Sequence, residues 1–274
     1  MTTRLLPIIK WSGGKRNEIP NILPHIPNFG MYVEPFAGGA SLFFHLNPCL
    51  TLNVINDIHP ELINFYQQIK NGNRLEIYRL MGLVQNNEED YYKIRSGNIE
   101  TLENALEFCG VDEGILEAFK FFYIRKTCYR GMMRYNKNGG FNIPFGRYKT
   151  YTYEVLQNED YENLLQNTEI TCTSYVDIFE RYGQNEDAFF FLDPPYDCKF
   201  TDYGYCKFEE RDQRQLAECF KNAKAKCLMV IGDTPLIREL YDGYIADSYD
   251  KNYAFKLHSK RVDEKAVHVI IKNY

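Results

Sequence analysis

One segment restricts the fold of this chain more than any other: Ala188-Phe-Phe-Phe-Leu192. Consecutive apolar residues without polar alternation suit a strand covered on both faces, and such strands belong to parallel sheets flanked by helices. Asp193-Pro-Pro-Tyr196 follows at once. The strand therefore delivers a carboxylate to the carboxyl edge of a sheet, ahead of a turn stiffened by two prolines.

Other segments repeat the pattern. Met31–Phe36, Thr51–Ile55, Glu169–Thr173, Cys227–Ile231 and Ala266–Ile271 read as strands. Helical patterns start at Ser41 and at Pro60 and run over Arg211–Lys224 and Pro235–Tyr241. In PELINFYQQIK, Leu62, Ile63, Tyr66 and Ile69 share one face. The alternation predicts a mainly parallel α/β sheet with helices on both faces and a ligand site at the carboxyl ends of its strands. The middle differs. Helical segments there lead into the turn-rich YNKNGGFNIPFGRYKTY, whose Asn-Gly-Gly suggests a β-hairpin. The expected organisation is a catalytic domain over 1–70 and 168–274, interrupted by an inserted domain over 71–167.

The 274 residues are 45% hydrophobic and 25% charged, which excludes a disordered chain, a collagen-like repeat or a coiled-coil rod. The longest apolar run is far short of the ~20 residues a membrane helix needs, so no membrane segment is expected. The beginning, MTTRLLPIIKWSGGKR, does not resemble an export signal. With eight scattered cysteines and no CxxC, the expectation is a cytoplasmic protein with reduced thiols and no metal site. The net charge of −5 argues against nucleic acid, but its distribution reverses that. From Phe119 to Tyr151 there are eight basic residues and no acidic one, a candidate phosphate-contacting face.

Two motifs carry chemistry. Glu34-Pro-Phe-Ala-Gly-Gly-Ala-Ser41 joins a strand to a helix, and its glycines let a ligand approach the helix start. Asp57 lies 23 residues beyond Glu34, at the end of the next strand, where an acid holds ribose hydroxyls; this spacing points to a nucleoside cofactor. The GxGxxG of dinucleotide enzymes and the GxxxxGK of phosphate loops are both missing. In Asp193-Pro194-Pro195-Tyr196, the carboxylate and a proline carbonyl supply the two acceptors that orient a planar amino group, and Tyr196 offers a ring for a base to stack on.

These segments, taken in order, resemble the Dam-type adenine-specific DNA methyltransferases, which use S-adenosylmethionine. The resemblance rests on Lys10-Trp-Ser-Gly-Gly-Lys15, EPFAGGAS, Asn56-Asp-Ile58, CYRGMMRYNKNGGFNIPFGRYK and DPPY, and it spans nearly the whole chain. It implies a Rossmann-like fold with a largely helical target-recognition insertion. It also implies methylation of the 6-amino group of an adenine flipped out of duplex DNA. Trp11, Lys15, Phe36, Gly38, Asp57 and Asp193 then line the cofactor site together with Glu34. Trp11 offers its ring to the cofactor, and Lys15 pairs with the cofactor carboxylate. In the hairpin, Met132, Arg134, Pro144 and Tyr148 match the base-reading positions, with Lys10 from the first motif and Asn136 in the same DNA-contacting set. Arg130 stands where the best-known members carry Asn, so the expected site is GATC-like without being an assured copy.

Methylation of a cytosine amino group uses the same geometry, and a catalytically silent DNA-binding module would keep the same fold. The expected partner is double-stranded DNA, bound by a monomer. If the protein serves a restriction system, its cognate endonuclease acts separately.

Overall fold

The computed structural model describes residues 4–48, 52–136, 139–149, 151–196, 208–251 and 266–274. Cys49, Thr51, Lys137, Asn138, Cys198 and Cys206, all used in the sequence reading, lie outside the described residues.

Seven described strands form one sheet: β1 (Met31–Glu34), β2 (Asn53–Asn56), β3 (Thr168–Thr171), β4 (Ala188–Leu192), β5 (Lys226–Gly232), β6 (Ile245–Lys251) and β7 (Ala266–Lys272). Their order is β3-β2-β1-β4-β5-β7-β6. Neighbours from β3 to β5 are parallel, while β7 runs antiparallel to both β5 and β6. This is the mainly parallel α/β sheet that the sequence predicted. The strand order reverses between β1 and β4, and that switch point opens a crevice at their carboxyl ends.

The apolar run of β4 divides between two cores. Phe189 and Phe191 join one cluster with Tyr32 and Ile55, while Phe190 and Leu192 join the other with Val33 and Val54. Helices Tyr175–Tyr182, Glu210–Asn222 and Pro235–Leu240 cover the second face. The first face is covered by helix Pro60–Lys70, and helices Arg74–Gly82 and Glu113–Thr127 stack beyond it, with Leu80, Phe119 and Phe122 continuing the same core.

Helix Tyr175–Tyr182 and strand β6 had no counterpart in the sequence reading. Strand β6 reads Ile-Ala-Asp-Ser-Tyr-Asp-Lys and is exposed over most of its length, so it shows no apolar run. It is an edge strand, defined by its partner β7 and carrying the charges that discourage further pairing. Among the described residues the hairpin shows two antiparallel bridges, Cys128 with Phe145 and Tyr135 with Phe141. Pro144 cannot donate to a ladder, and Arg130, Gly131 and Arg147 have positive φ, which interrupts strand pairing among the described residues.

Candidate active site

The loop after β1 is shaped by one glycine. Gly38 has φ +46°, and a Cβ there would meet Trp11 Cδ1 at 2.6 Å. The missing side chain lets the Trp11 ring lie against the loop. Tyr66 Oη donates to the Gly38 carbonyl at 2.9 Å from helix Pro60–Lys70.

Two residues at the end of β2 bind this loop to its neighbours. Asn56 Nδ2 donates to the carbonyls of Pro35 (2.9 Å) and Thr173 (3.0 Å), and Asn56 Oδ1 accepts from the Thr173 amide. Asp57 accepts from the amides of Gly38 (2.8 Å) and His59 (3.0 Å). Burial nevertheless raises the Asp57 carboxyl to about 6. A carboxylate has about four acceptor positions, so two backbone bonds leave room for hydroxyl donors.

These loops enclose a cavity of about 230 Å³ at the switch point. Of the sequence-predicted cofactor residues, Trp11, Lys15, Glu34, Phe36, Gly38, Asp57 and Asp193 all line it. From the Asp193–Tyr196 turn, Pro195 and Tyr196 line it too, whereas Pro194 is buried and is not a lining residue. The sequence reading missed Tyr175, Phe208 and Asp212. Tyr175 and Phe208 flank Phe36 at ring distances of 5.2 and 6.0 Å and make an aromatic wall. Ser174 caps the helix behind that wall, so Thr173-Ser174 before an apolar-periodic run was the available clue.

The charges in the cavity are arranged unequally. Glu34 is buried, accepts from Tyr32 Oη at 2.9 Å, and is pushed well above the carboxylate range by burial, with the Asp193 and Asp57 carboxyls adding to the shift. Asp193 is raised by burial, while Lys15 works in the opposite direction. Lys15, 2% exposed, donates to Asp193 Oδ1 at 2.5 Å and to the Gly13 carbonyl at 3.0 Å. Its Nζ also lies 5.0 Å from the centre of the Tyr196 ring. Buried Gln213 fixes the turn by donating to the Pro195 carbonyl at 2.8 Å.

The DNA-contacting candidates lie elsewhere. Lys10, Arg130, Arg134, Asn136 and Pro144 are exposed, while Met132 and Tyr148 are half-buried. Arg134 is braced within the hairpin, donating from Nε to Asn142 Oδ1 at 2.7 Å. Lys10 Nζ sits 5.7 Å from the Tyr148 ring centre. The basic run is less uniform than its charge count implies. Arg125 is buried and donates to the carbonyls of Met132 and Lys10, so it is a strut and not a phosphate ligand. Lys120 and Arg147 pair with Glu117 and Glu88. Lys126 is half-buried over Phe122, and burial together with Lys10 lowers its ammonium to about 8.

His59 connects the two regions. Its Nδ1 caps helix Pro60–Lys70 by accepting from the Leu62 amide, and Nε2 meets Tyr135 Oη at 2.8 Å. Burial and the Arg125 charge lower the ring to about 4, so it is neutral with its proton on Nε2. Its ring also meets Trp11 edge-on at 5.5 Å.

The sequence profile of the D12 class N6 adenine-specific DNA methyltransferases matches residues 11–260. The chain belongs to this family. It is similar to the type II methyltransferase M.CviBI of Paramecium bursaria Chlorella virus NC1A, 49% identical over 98% of this chain and 99% of that one. It is also 32% identical to a DNA adenine methylase of Vibrio cholerae serotype O1 over 86% and 84% of the two chains. Type II methyltransferase M.MjaIII of Methanocaldococcus jannaschii is 30% identical over 87% and 88%. The enzyme is thus an adenine-specific DNA methyltransferase, which sets aside the cytosine reading.

Proposed function

We propose that the enzyme transfers a methyl group from S-adenosylmethionine to the 6-amino group of an adenine flipped out of duplex DNA at a GATC-like site. The observation that carries this reading is the meeting of the FAGGAS loop, Asp57 and the Asp193–Tyr196 turn in one cavity. The residues present fit the cofactor: Gly38 gives the Trp11 ring room beside the loop, aromatic rings wall the cavity, and an acid sits at the end of β2. Trp11 and Phe36 would hold its apolar parts, Asp57 its ribose, and Lys15 its carboxylate. Two of Lys15's three N–H groups are engaged here, so one donor is left for that task. When bound, S-adenosylmethionine supplies an electrophilic methyl on a sulfonium.

The chain's own part in the reaction is positioning. Asp193 accepts from the adenine amino group, a carbonyl of the Pro194-Pro195 turn accepts its second hydrogen, and Tyr196 stacks on the base. The nitrogen lone pair is then directed at the electrophile. Residues 1–70 and 168–274 carry this chemistry, and 71–167, joined by Lys10 from the first motif, carry recognition. Arg134 reads a guanine edge, Met132 and Pro144 pack on a thymine methyl, and Lys10, Arg130, Asn136 and Tyr148 support them. The exposure of Arg134 and Pro144 on one hairpin supports this assignment.

The test combines nucleoside mass spectrometry with single-molecule sequencing of DNA from cells expressing the enzyme. N6-methyladenine within one short GATC-like sequence is expected. Modified adenines without a common flanking sequence would overturn the recognition assignment, and absence of the modified base would overturn the activity.

A further inference from the structure

Behind the Asp193–Tyr196 turn lies a buried charged cluster that the reading above does not use. Glu18 is 3% exposed and His268, on β7, is 1% exposed. His268 Nδ1 and Glu18 Oε2 are 2.6 Å apart, Tyr249 Oη donates to the same oxygen at 2.6 Å, and Lys251 donates to Glu18 Oε1. Burial pushes the Glu18 carboxyl up, yet the His268 bond, the Lys15 charge and the Lys251 and Tyr249 bonds outweigh it and hold it at about 2. An ionised carboxylate only accepts, so the proton of the short contact is on His268 Nδ1. This bond fixes the imidazole plane.

Strand register explains what that plane supports. Gly232, His268 and Tyr249 are direct partners on β5, β7 and β6, and cross-strand partners present their side chains on one face. The Tyr196 ring packs over the first position: a Cβ on Gly232 would lie at ordinary contact distance, 3.6 Å, from Tyr196 Cδ2. The His268 ring meets the Tyr196 ring at 5.2 Å with an interplanar angle of 88°, and Lys15 contacts the same ring. Buried charges are costly, and apolar residues of similar volume commonly give equal or greater stability. A buried carboxylate such as that of Glu18 is therefore a poor choice for stability alone, and the contact of its partner His268 with the reactive turn gives the cluster a task.

We infer that Glu18 and His268 are positioning residues that set the angle of the Tyr196 ring, and through it the approach of the target adenine. The inference rests on the proposed role of Tyr196 as the stacking platform. Its test is a double-mutant cycle on the full-length enzyme, using His268→Ala, Tyr196→Ala and the pair. The readouts are the single-turnover methylation rate on a duplex carrying the sequenced site, cofactor affinity by calorimetry and the melting temperature. His268→Ala is expected to slow the single turnover roughly 10–100-fold while cofactor affinity stays within about two-fold. In the Tyr196→Ala background the same change should add less than about two-fold, because the ring it orients is gone. If His268→Ala does not fold, the isosteric Glu18→Gln replaces it in the cycle, with the same non-additive pattern expected. Rate losses that multiply, or a single variant as fast as the parent beside a slow Tyr196→Ala, would overturn the inference alone. A Tyr196→Ala enzyme of undiminished rate would overturn the platform role and the inference with it.

Discussion

Lys15 and Arg134 are both cations near glycine turns, and the fold treats them oppositely. Lys15 is 2% exposed and bonded to Asp193, with Tyr196 beside it, whereas Arg134 lies at the surface and is braced by Asn142 of its own hairpin. The same contrast holds for their surroundings. Around the cavity, Glu34, Asn56, Asp57 and Gln213 are buried polar groups with fixed partners. Along the hairpin, Arg130, Arg134 and Pro144 face solvent between two isolated bridges, and Asn136 faces solvent just beyond the second. On the proposed reading, chemistry common to every target site is organised in advance by burial, where each electrostatic contact is strong. Recognition, on the same reading, is left on the surface, where a side chain can be exchanged at little cost to the core.

The largest effect expected on the buried side comes from Asp193→Ala. Loss of the acceptor that orients the amino group should lower turnover by about 10²–10³-fold, the scale for removing one oriented electrostatic contact. Steady-state methylation of a cognate duplex checks this, and near-normal turnover would break the assignment of chemistry to the cavity.

Asp57 tests whether the burial of the cavity also governs cofactor binding. Asp57→Ala should weaken S-adenosylmethionine binding by about 1.5–3 kcal/mol, the range for a lost hydrogen bond to a charged group. The folded protein holds this proton to about pH 6, whereas an ordinary aspartate loses it near 3.8. The folded state therefore binds more protons within that window, and this group's contribution to stability declines as pH rises through it. Ribose acceptance needs the ionised form, so cofactor affinity should increase as pH rises through about 6. Calorimetry across pH should find the step in the parent enzyme and not in Asp57→Asn.

On the exposed side, Arg134→Ala should relax discrimination at one guanine position by about 1–3 kcal/mol. Methylation kinetics on duplexes carrying each single-base change would show it. Equal slowing on every duplex would make the hairpin a clamp and erase the contrast with the cavity.

The smallest effect sharpens the comparison within the basic run itself. Lys149 is exposed, whereas Lys126 is half-buried over Phe122. Lys149→Ala should reduce the slope of log affinity against log salt by about 0.9, one phosphate contact, while Lys126→Ala leaves the slope unchanged. A lost contact at Lys126 instead would return the whole run to the role its charge count suggested.

Strand β4 was legible because an apolar run must be covered on both faces, and the turn after it because two prolines cannot extend a ladder. Asp57 and Asp193 were legible for a related reason: each directly follows a strand, Gly38 lies in the loop after β1, and in a parallel sheet those ends converge. The cavity-lining residues that sequence reading missed, Tyr175, Phe208 and Asp212, lie outside the two motifs that suggested a site; Tyr175 comes from the start of helix Tyr175–Tyr182, and Phe208 and Asp212 from around the start of helix Glu210–Asn222.

What the sequence alone determined is therefore the local part: strand ends, turn chemistry, helix starts and the family to which their order belongs. Only the tertiary structure decided which charged and polar groups meet. Lys15 and Asp193 are 178 residues apart, and Glu18 and His268 are 250 apart. Arg125 and Lys126 are adjacent in a basic run, yet one is a buried strut and the other packs over a ring. The physical reason is that periodicity and propensity act over a few residues, whereas desolvation and ion pairing depend on what the folded chain brings within a few ångströms.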